Sequence, residues 1–327
     1  MKRVLLTGAD GFLGSNIARE LLKRGYAVRA FVEVANAANS LRDLDIETIR
    51  GDILNLPDLL AAMPGCSYVI HAAARTAFWP ARSEKTRRTN IEGTYNVIRA
   101  ALTVEIERIV HVGTASSLGY GSKESPGDED RPYKCYRFGL DYYDSKYQAQ
   151  QQIRKAVDTE GLPAVIVNPT FMVGPFDSKP TSGAMILAIA KGKIPGIPRG
   201  GRNYIYVKDA AKGVVNALEE GRIGECYIIG NKNLSFQEIF SLIAEITGAK
   251  KPTRAIPTFV VTAYSLLSTF FALLARKPPM VSVPVARLSN TDFYFSAQKA
   301  ISELDLPQTP IEIAIRDAYD WLKSNGY

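Results

Sequence analysis

The chain has 327 residues, 46% of them hydrophobic, and carries a formal net charge of +7 with no long block of Lys or Arg. That length exceeds the roughly 100 to 200 residues of an ordinary domain and suggests one large domain with a smaller one appended, while scattered charge argues against a nucleic-acid-binding tract. Cys66, Cys135 and Cys226 lie far apart and the only histidines are His71 and His111, so no metal-site spacing exists, and the odd cysteine count suits a reducing compartment.

The opening "MKRVLLTGADG" has too short an apolar run for a signal peptide, and a cytoplasmic location is expected. Short β-branched runs then alternate with helical patterns, which predicts parallel strands joined by crossover helices. Strands are expected near 3–6, 28–32, 47–50, 68–72, 108–112 and 164–168. The clearest helices are 12–24, closed by Gly25; 84–102; and 142–159, closed by Gly161.

After Pro169 the Pro- and Gly-rich stretches "NPTFMVGPFDSKPTSG" and "KGKIPGIPRGGRN" break the alternation. A strand at 204–207 and the helix after it are expected to rejoin the first sheet, and residues beyond Gly230 read as mostly helical. The predicted fold is a doubly wound α/β Rossmann sheet over 1–170, with a chain return at about 203–222. A smaller, mostly helical substrate region is expected over 171–202 and 223–327.

Residues 259–275, "FVVTAYSLLSTFFALLA", followed by Arg276 and Lys277, stand apart as an apolar helix with Thr262, Ser265 and Thr269 along one side. Either it packs inside the second region or lines an apolar pocket, or it makes a weak peripheral membrane contact.

Gly8, Gly11 and Gly14 fall between the first strand and the first helix, spaced Gly-x-x-Gly-x-x-Gly. Glycine at such a turn lets a pyrophosphate approach the helix N-terminus, where free N–H groups and the helix dipole favour an anion. Glu33, nineteen residues after Gly14 at the end of the second strand, stands where a carboxylate accepts from ribose hydroxyls and repels a 2′-phosphate, which favours NAD over NADP. Asp52 either accepts from the adenine amino group or is a turn former.

These pieces resemble the extended short-chain dehydrogenase/reductases, and among them the dihydroflavonol reductase-like group with its bacterial sugar-epimerase-like members. The matching segments are "TGADGFLG", "GDI", "HAAA", "TNIEGTYNVI", "IVHVGTASSLG", "YYDSK", "NPTFMVGP" and "YIYVKDAAKGVVNALEEGRIGECYIIG", in family order over about 230 residues. The resemblance implies that Tyr142 is the general acid or base, that Lys146 holds the nicotinamide ribose, and that Thr114 completes the site, with Ser116 or Ser117 as substitutes if the loop is shifted. Cofactor contacts are implied at Gly8, Gly11, Phe12, Leu13, Gly14, Glu33, Asp52, Ile53, Ala72, Ala73, Ala74, Asn90, Tyr142, Lys146, Pro169 and Thr170.

Tyr-x-x-x-Lys occurs three times, as Tyr142 with Lys146, Tyr204 with Lys208 and Tyr319 with Lys323. Positions i and i+4 share a helix face, so Tyr142 and Lys146 can both address one cofactor, whereas the i+4 neighbour of Tyr143 is Tyr147. A lysine ammonium and an oxidised nicotinamide together are expected to lower the tyrosine pKa. Substrate contacts are expected from Phe78, Trp79, Ser116, Phe171, Met172 and Arg202, and no metal.

The expected function is an NAD(P)-dependent oxidoreductase acting on a ketone or secondary alcohol. A nucleotide-sugar epimerase with the same triad and a non-catalytic dinucleotide sensor are the alternatives. Dehydration is disfavoured because Ala115 and Ser116 stand where a dehydratase would carry Asp-Glu. A homodimer through the 84–102 and 142–159 helices and a small-molecule substrate are the expected partners.

Overall fold

The computed structural model describes residues 2–33, 39–275, 277–279 and 281–327, the side chains of Asn39 and Leu273 excepted. The chain first builds β1 (Arg3–Thr7), α1 (Phe12–Lys23), β2 (Ala27–Val32), β3 (Glu47–Arg50), α2 (Leu56–Ala62), β4 (Tyr68–His71), α3 (Glu84–Arg87), α4 (Gly93–Thr103), β5 (Arg108–Val112), α5 (Asp141–Glu160) and β6 (Ala164–Pro169). It continues through β7 (Phe171–Val173), α6 (Ser182–Ala190), β8 (Gly201–Tyr206), α7 (Val207–Glu219) and β9 (Cys226–Ile229). Last come β10 (Lys232–Ser235), α8 (Phe236–Thr247), α9 (Thr258–Ala275), α10 (Val283–Ser289), β11 (Asp292–Phe293), α11 (Gln298–Glu303) and α12 (Ile311–Ser324).

Seven strands pair in parallel in the order β3-β2-β1-β4-β5-β6-β9. The sheet's central strands read as near-continuous apolar runs because helices cover both faces. Alternate residues serve the two layers: Val4, Leu6, Val110 and Val165 pack with Ile17 of α1 and Val214 of α7. Leu5, Val69, Ile109 and Ile166 pack instead with Val97 of α4 and Ile153 of α5. The chain winds outward in one direction through β1, β2 and β3 and in the other from β4 on. The crevice at the strand ends between β1 and β4 is therefore the switch point where such sheets bind ligands.

Three expectations change. The helix foreseen at 84–102 is divided into α3 and α4 by a π-helical turn at Arg88–Glu92, which carries the buried Asn90. The strand foreseen at 204–207 is β8, and it does not rejoin the first sheet: it pairs with β7, β10 and β11 in a second, smaller sheet. What returns is α7, packed on α1, and then β9, which adds to β6. A fully buried apolar strand reads the same in either sheet, so periodicity could not separate the two placements. The region after Gly230 holds helices α8 to α12 together with strands β10 and β11.

Among the described residues no helix is long and apolar enough to cross a membrane. Of the two cations expected to close the apolar segment, Lys277 is exposed and Arg276 lies outside the described residues.

Candidate active site

The loop from β1 to α1 is shaped for a close-lying anion. Gly8 adopts φ +70, and a Cβ there would stand 2.7 Å from the Ala73 backbone; a Cβ on Gly14 would stand 2.0 Å from the Gly8 carbonyl oxygen. Helix α1 starts at Phe12 after Gly11, with no side-chain cap and no acid in its first turn. The N–H groups of that turn, with Leu13 and Gly14 buried behind it, are left to an external acceptor, which fits a dinucleotide pyrophosphate.

Around this cradle, Ala72 donates its N–H to the Thr7 carbonyl at 3.2 Å and Ala73 donates to Thr7 Oγ1 at 3.2 Å, folding the loop after β4 onto β1. Ala74 follows, half-buried. Glu33 is exposed at the end of β2, and the Arg50 Nε donates to its carbonyl oxygen at 3.3 Å. Asp52 Oδ1 accepts from the Leu54 N–H at 2.8 Å, so this carboxylate forms a turn, and Ile53 is buried against Gly93 of α4.

Helix α5 carries the expected tyrosine–lysine pair, Tyr142 and Lys146. Its start is held by Asp141, which accepts from the Ser83 N–H at 2.6 Å and from Arg82 at 2.9 Å, and by Asp144, which accepts from Arg82 at 2.9 Å. Asn90 ties the same region together: its Oδ1 accepts from the Arg75 N–H at 2.7 Å, and its Nδ2 donates to the Arg75 carbonyl at 3.1 Å and to Ser145 Oγ at 2.9 Å. The π-helical turn thus places an amide that fixes the loop after β4 against the residue preceding Lys146.

Lys146 is only 3% exposed, and its Nζ donates to the Val112 carbonyl at 2.7 Å. Burial pushes its pKa down to about 8. An ammonium has three donors, so others remain for ribose hydroxyls.

Tyr142 lies one helical turn earlier, and burial raises its phenol above the ordinary value while a hydrogen bond with the Thr114 hydroxyl pulls the other way. The charge of Lys146 bears on the buried His71 and His111, whose pKa values it helps burial to lower.

A cavity of about 150 Å³ opens over these groups. Thr114, Ser116, Tyr142, Pro169, Thr170, Phe78, Phe171 and Arg202 all line it, so five separate stretches of the sequence meet there. Phe78 meets the rings of Tyr142 and Tyr143 edge-on at centroid distances of 5.5 and 5.6 Å. Met172 and Trp79 do not line it. Met172 follows Phe171 on β7, so its side chain turns to the opposite face and packs into the core.

Four lining residues of consequence went unread: Tyr143, Asn203, Phe293 and Phe295. A signal existed in "DFYF", whose alternate aromatics place Phe293 and Phe295 on one side. Tyr143 hydrogen-bonds with Ser116, and burial raises its pKa. The Arg202 guanidinium donates to the carbonyls of Gly201 at 2.8 Å, Thr291 at 3.0 Å and Leu288 at 2.8 Å, and lies 4.6 Å from the Phe293 ring centroid. None of these partners neutralises its charge.

The rival tyrosine–lysine pairs are structural. Lys208 pairs with Asp317 at 3.0 Å, while Lys323 lies over the Tyr319 ring on α12.

Residues 4–230 match the family described as the NAD dependent epimerase/dehydratase family. The chain belongs to that family. A Synechocystis protein bearing the name dihydroflavonol 4-reductase is 33% identical over 98% of this chain and 95% of its own length. Sterol demethylase protein B of Methylococcus capsulatus is 28% identical, with 98% of each chain covered. The solved structure of PA4631, a nucleoside-diphosphate-sugar epimerase from Pseudomonas aeruginosa, superposes with a TM-score of 0.80 at 26% identity over 100% of this chain and 99% of its own. As a member of the epimerase/dehydratase family, the protein is an enzyme of NAD-dependent oxidoreductase or epimerase chemistry.

Proposed function

We propose that the protein is a reductase that interconverts a ketone and a secondary alcohol on a largely apolar small molecule. The observation that carries this reading is the cavity in which Tyr142 and Thr114 face a space walled by Phe78, Phe171, Phe293 and Phe295. When bound, the nicotinamide supplies or accepts the hydride. Tyr142 gives a proton to the carbonyl oxygen, or takes one from the alcohol, and Thr114 donates a hydrogen bond that holds the same oxygen beside the phenol. Lys146 would hold the ribose through its free donors, and its charge would lower the phenol's pKa once the cofactor joins them. The names borne by the Synechocystis and Methylococcus relatives, a flavonol-type and a sterol-type activity, support an apolar substrate.

Arg202 favours a second reading. Its guanidinium at the cavity wall, hydrogen-bonded to backbone carbonyls and not to a carboxylate, suits an anionic substrate group, as a nucleotide-sugar epimerase would require. Purified protein offered aromatic ketones, sterols and nucleotide sugars with NADH separates the two. Net NADH oxidation with a ketone supports the reductase; product without net cofactor change establishes the epimerase; turnover of nothing while NADH binds favours a sensor.

Glu33 supports NAD over NADP, with Arg50 beside it as the counterweight. For assembly, α4 and α5 are proposed as the homodimer contact, with Tyr95 left 51% exposed on α4. Light scattering that finds a monomer at micromolar concentration would refute the dimer.

A further inference from the structure

Helix α9 inverts the usual arrangement of a surface helix. Ser265 and Ala272 are buried and Ser268 and Thr269 half-buried on the side facing the protein, where the Thr269 hydroxyl finds no hydrogen-bond partner. Phe259, Leu266, Leu267, Phe270, Phe271 and Leu274 recur at helical spacing on the opposite side and are exposed, by 74% at Phe259 and 68% at Leu274. A helix in water turns its apolar stripe inward. Here the small and hydroxylated side chains face in, and so many large apolar groups on one helix exceed what a soluble surface ordinarily leaves bare.

The charge around this helix selects its occupant. Between Glu245 and Asp292 the sequence contains Lys250, Lys251, Arg254, Arg276, Lys277 and Arg287 and no Asp or Glu. Lys250, Lys251 and Arg254 are exposed just before α9, and Lys277 is exposed just after it. Apolar side chains bracketed by cations match an anionic lipid surface, in which the helix lies along the interface with lysines and arginines at headgroup level. Glu245 pairs with Lys251 at 3.4 Å, which leaves the rim cationic through Lys250, Arg254 and Lys277, and a second copy of the chain docked α9 to α9 would bring two such rims together. At 18 residues the helix is about 27 Å long, suited to lying in the interface and short of the hydrocarbon core's thickness.

We propose that α9 seats the protein on bilayers containing anionic lipid, by inserting Phe259, Leu266, Leu267, Phe270, Phe271 and Leu274 between headgroups. The inference goes beyond the catalytic reading and does not depend on it.

Vesicle flotation tests it, with phosphatidylcholine alone and with phosphatidylcholine mixed with phosphatidylglycerol. The full chain is expected to float with the mixed vesicles and to be released by high salt. The variant Leu267→Ser/Phe270→Ser/Phe271→Ser is expected to lose flotation at least tenfold, with NADH binding and circular dichroism unchanged. Each of Lys250→Gln, Arg254→Gln and Lys277→Gln should weaken binding roughly fivefold. Absence of wild-type flotation with either vesicle overturns the proposal, as does equal flotation with both. Equally, an oligomer that the serine variant dissolves, in a protein that ignores vesicles, assigns α9 to a second copy and overturns it.

Discussion

Helices α5 and α9 are nearly equal in length, 20 and 18 residues, and break the amphipathic rule in opposite senses. Helix α5 is rich in polar residues and buries Asp141, Ser145, Lys146 and Gln150; α9 is rich in apolar residues and exposes them. Burying Lys146 costs free energy that shows in its depressed pKa, and its Nζ is held on the Val112 carbonyl beside the proposed cofactor site. Exposing Phe270 and Phe271 costs free energy in water, and the cost is removed where the helix meets lipid. Local departures from the pattern that folds the rest of the chain thus mark the two surfaces proposed to act on something outside it.

The comparison breaks first at Lys146. Lys146→Met is expected to lower turnover roughly a thousandfold and to weaken NADH binding, because the ribose loses its anchor. The same variant reports on stability. With a folded pKa of about 8 against an ordinary 10.5, the cost of burying the cation is present in full below about pH 8 and is relieved as pH rises toward 10.5. Wild-type denaturation midpoints should therefore climb across that window, and those of Lys146→Met should not. Thr114→Val comes next, with a loss on the order of a hundredfold in kcat and little change in NADH binding, read by steady-state kinetics.

His111 sharpens the α5 side of the comparison. It is buried with both ring nitrogens lacking hydrogen bonds, and burial holds its pKa well below 6.5; neighbouring His71 is pushed down to about 3. Keeping these rings neutral contributes stability that is complete above pH 6.5 and is lost as pH falls toward 3. His111→Leu should raise stability by on the order of 1 kcal/mol at neutral pH and reduce the acid loss, measured by urea denaturation across pH.

At Glu33 the effect is smaller. Glu33→Ala is expected to shift the NADH-to-NADPH preference about tenfold toward NADPH, read by fluorescence titration of both, as the carboxylate goes and Arg50 stays.

Strands β1 to β6 and helices α1 and α5 were legible because each is written in local periodicity and closed by glycine at Gly25 and Gly161. Tyr142 and Lys146 were legible for the same reason, since one helical turn joins them. The placement of β8 and β9 was not, because which sheet a buried strand joins depends on partners far along the chain. The cavity wall from Phe293 and Phe295 escaped for the same cause: Phe293 reaches Tyr143 from β11, which pairs with β8, and Phe295 is placed by a bridge to Gly127. For α9 the sequence placed Thr262, Ser265 and Thr269 along one side, but which side meets the protein depends on tertiary contacts that periodicity does not carry; Ser265 and Thr269 face in and Thr262 is exposed.

The central claim is that Tyr142 moves the proton in this cavity, and turnover by Tyr142→Phe tests it most directly. With NADH binding unchanged, the account predicts a fall in ketone reduction of roughly a hundred- to ten-thousandfold relative to the parent. Reduction by Tyr142→Phe at the parent rate would contradict it.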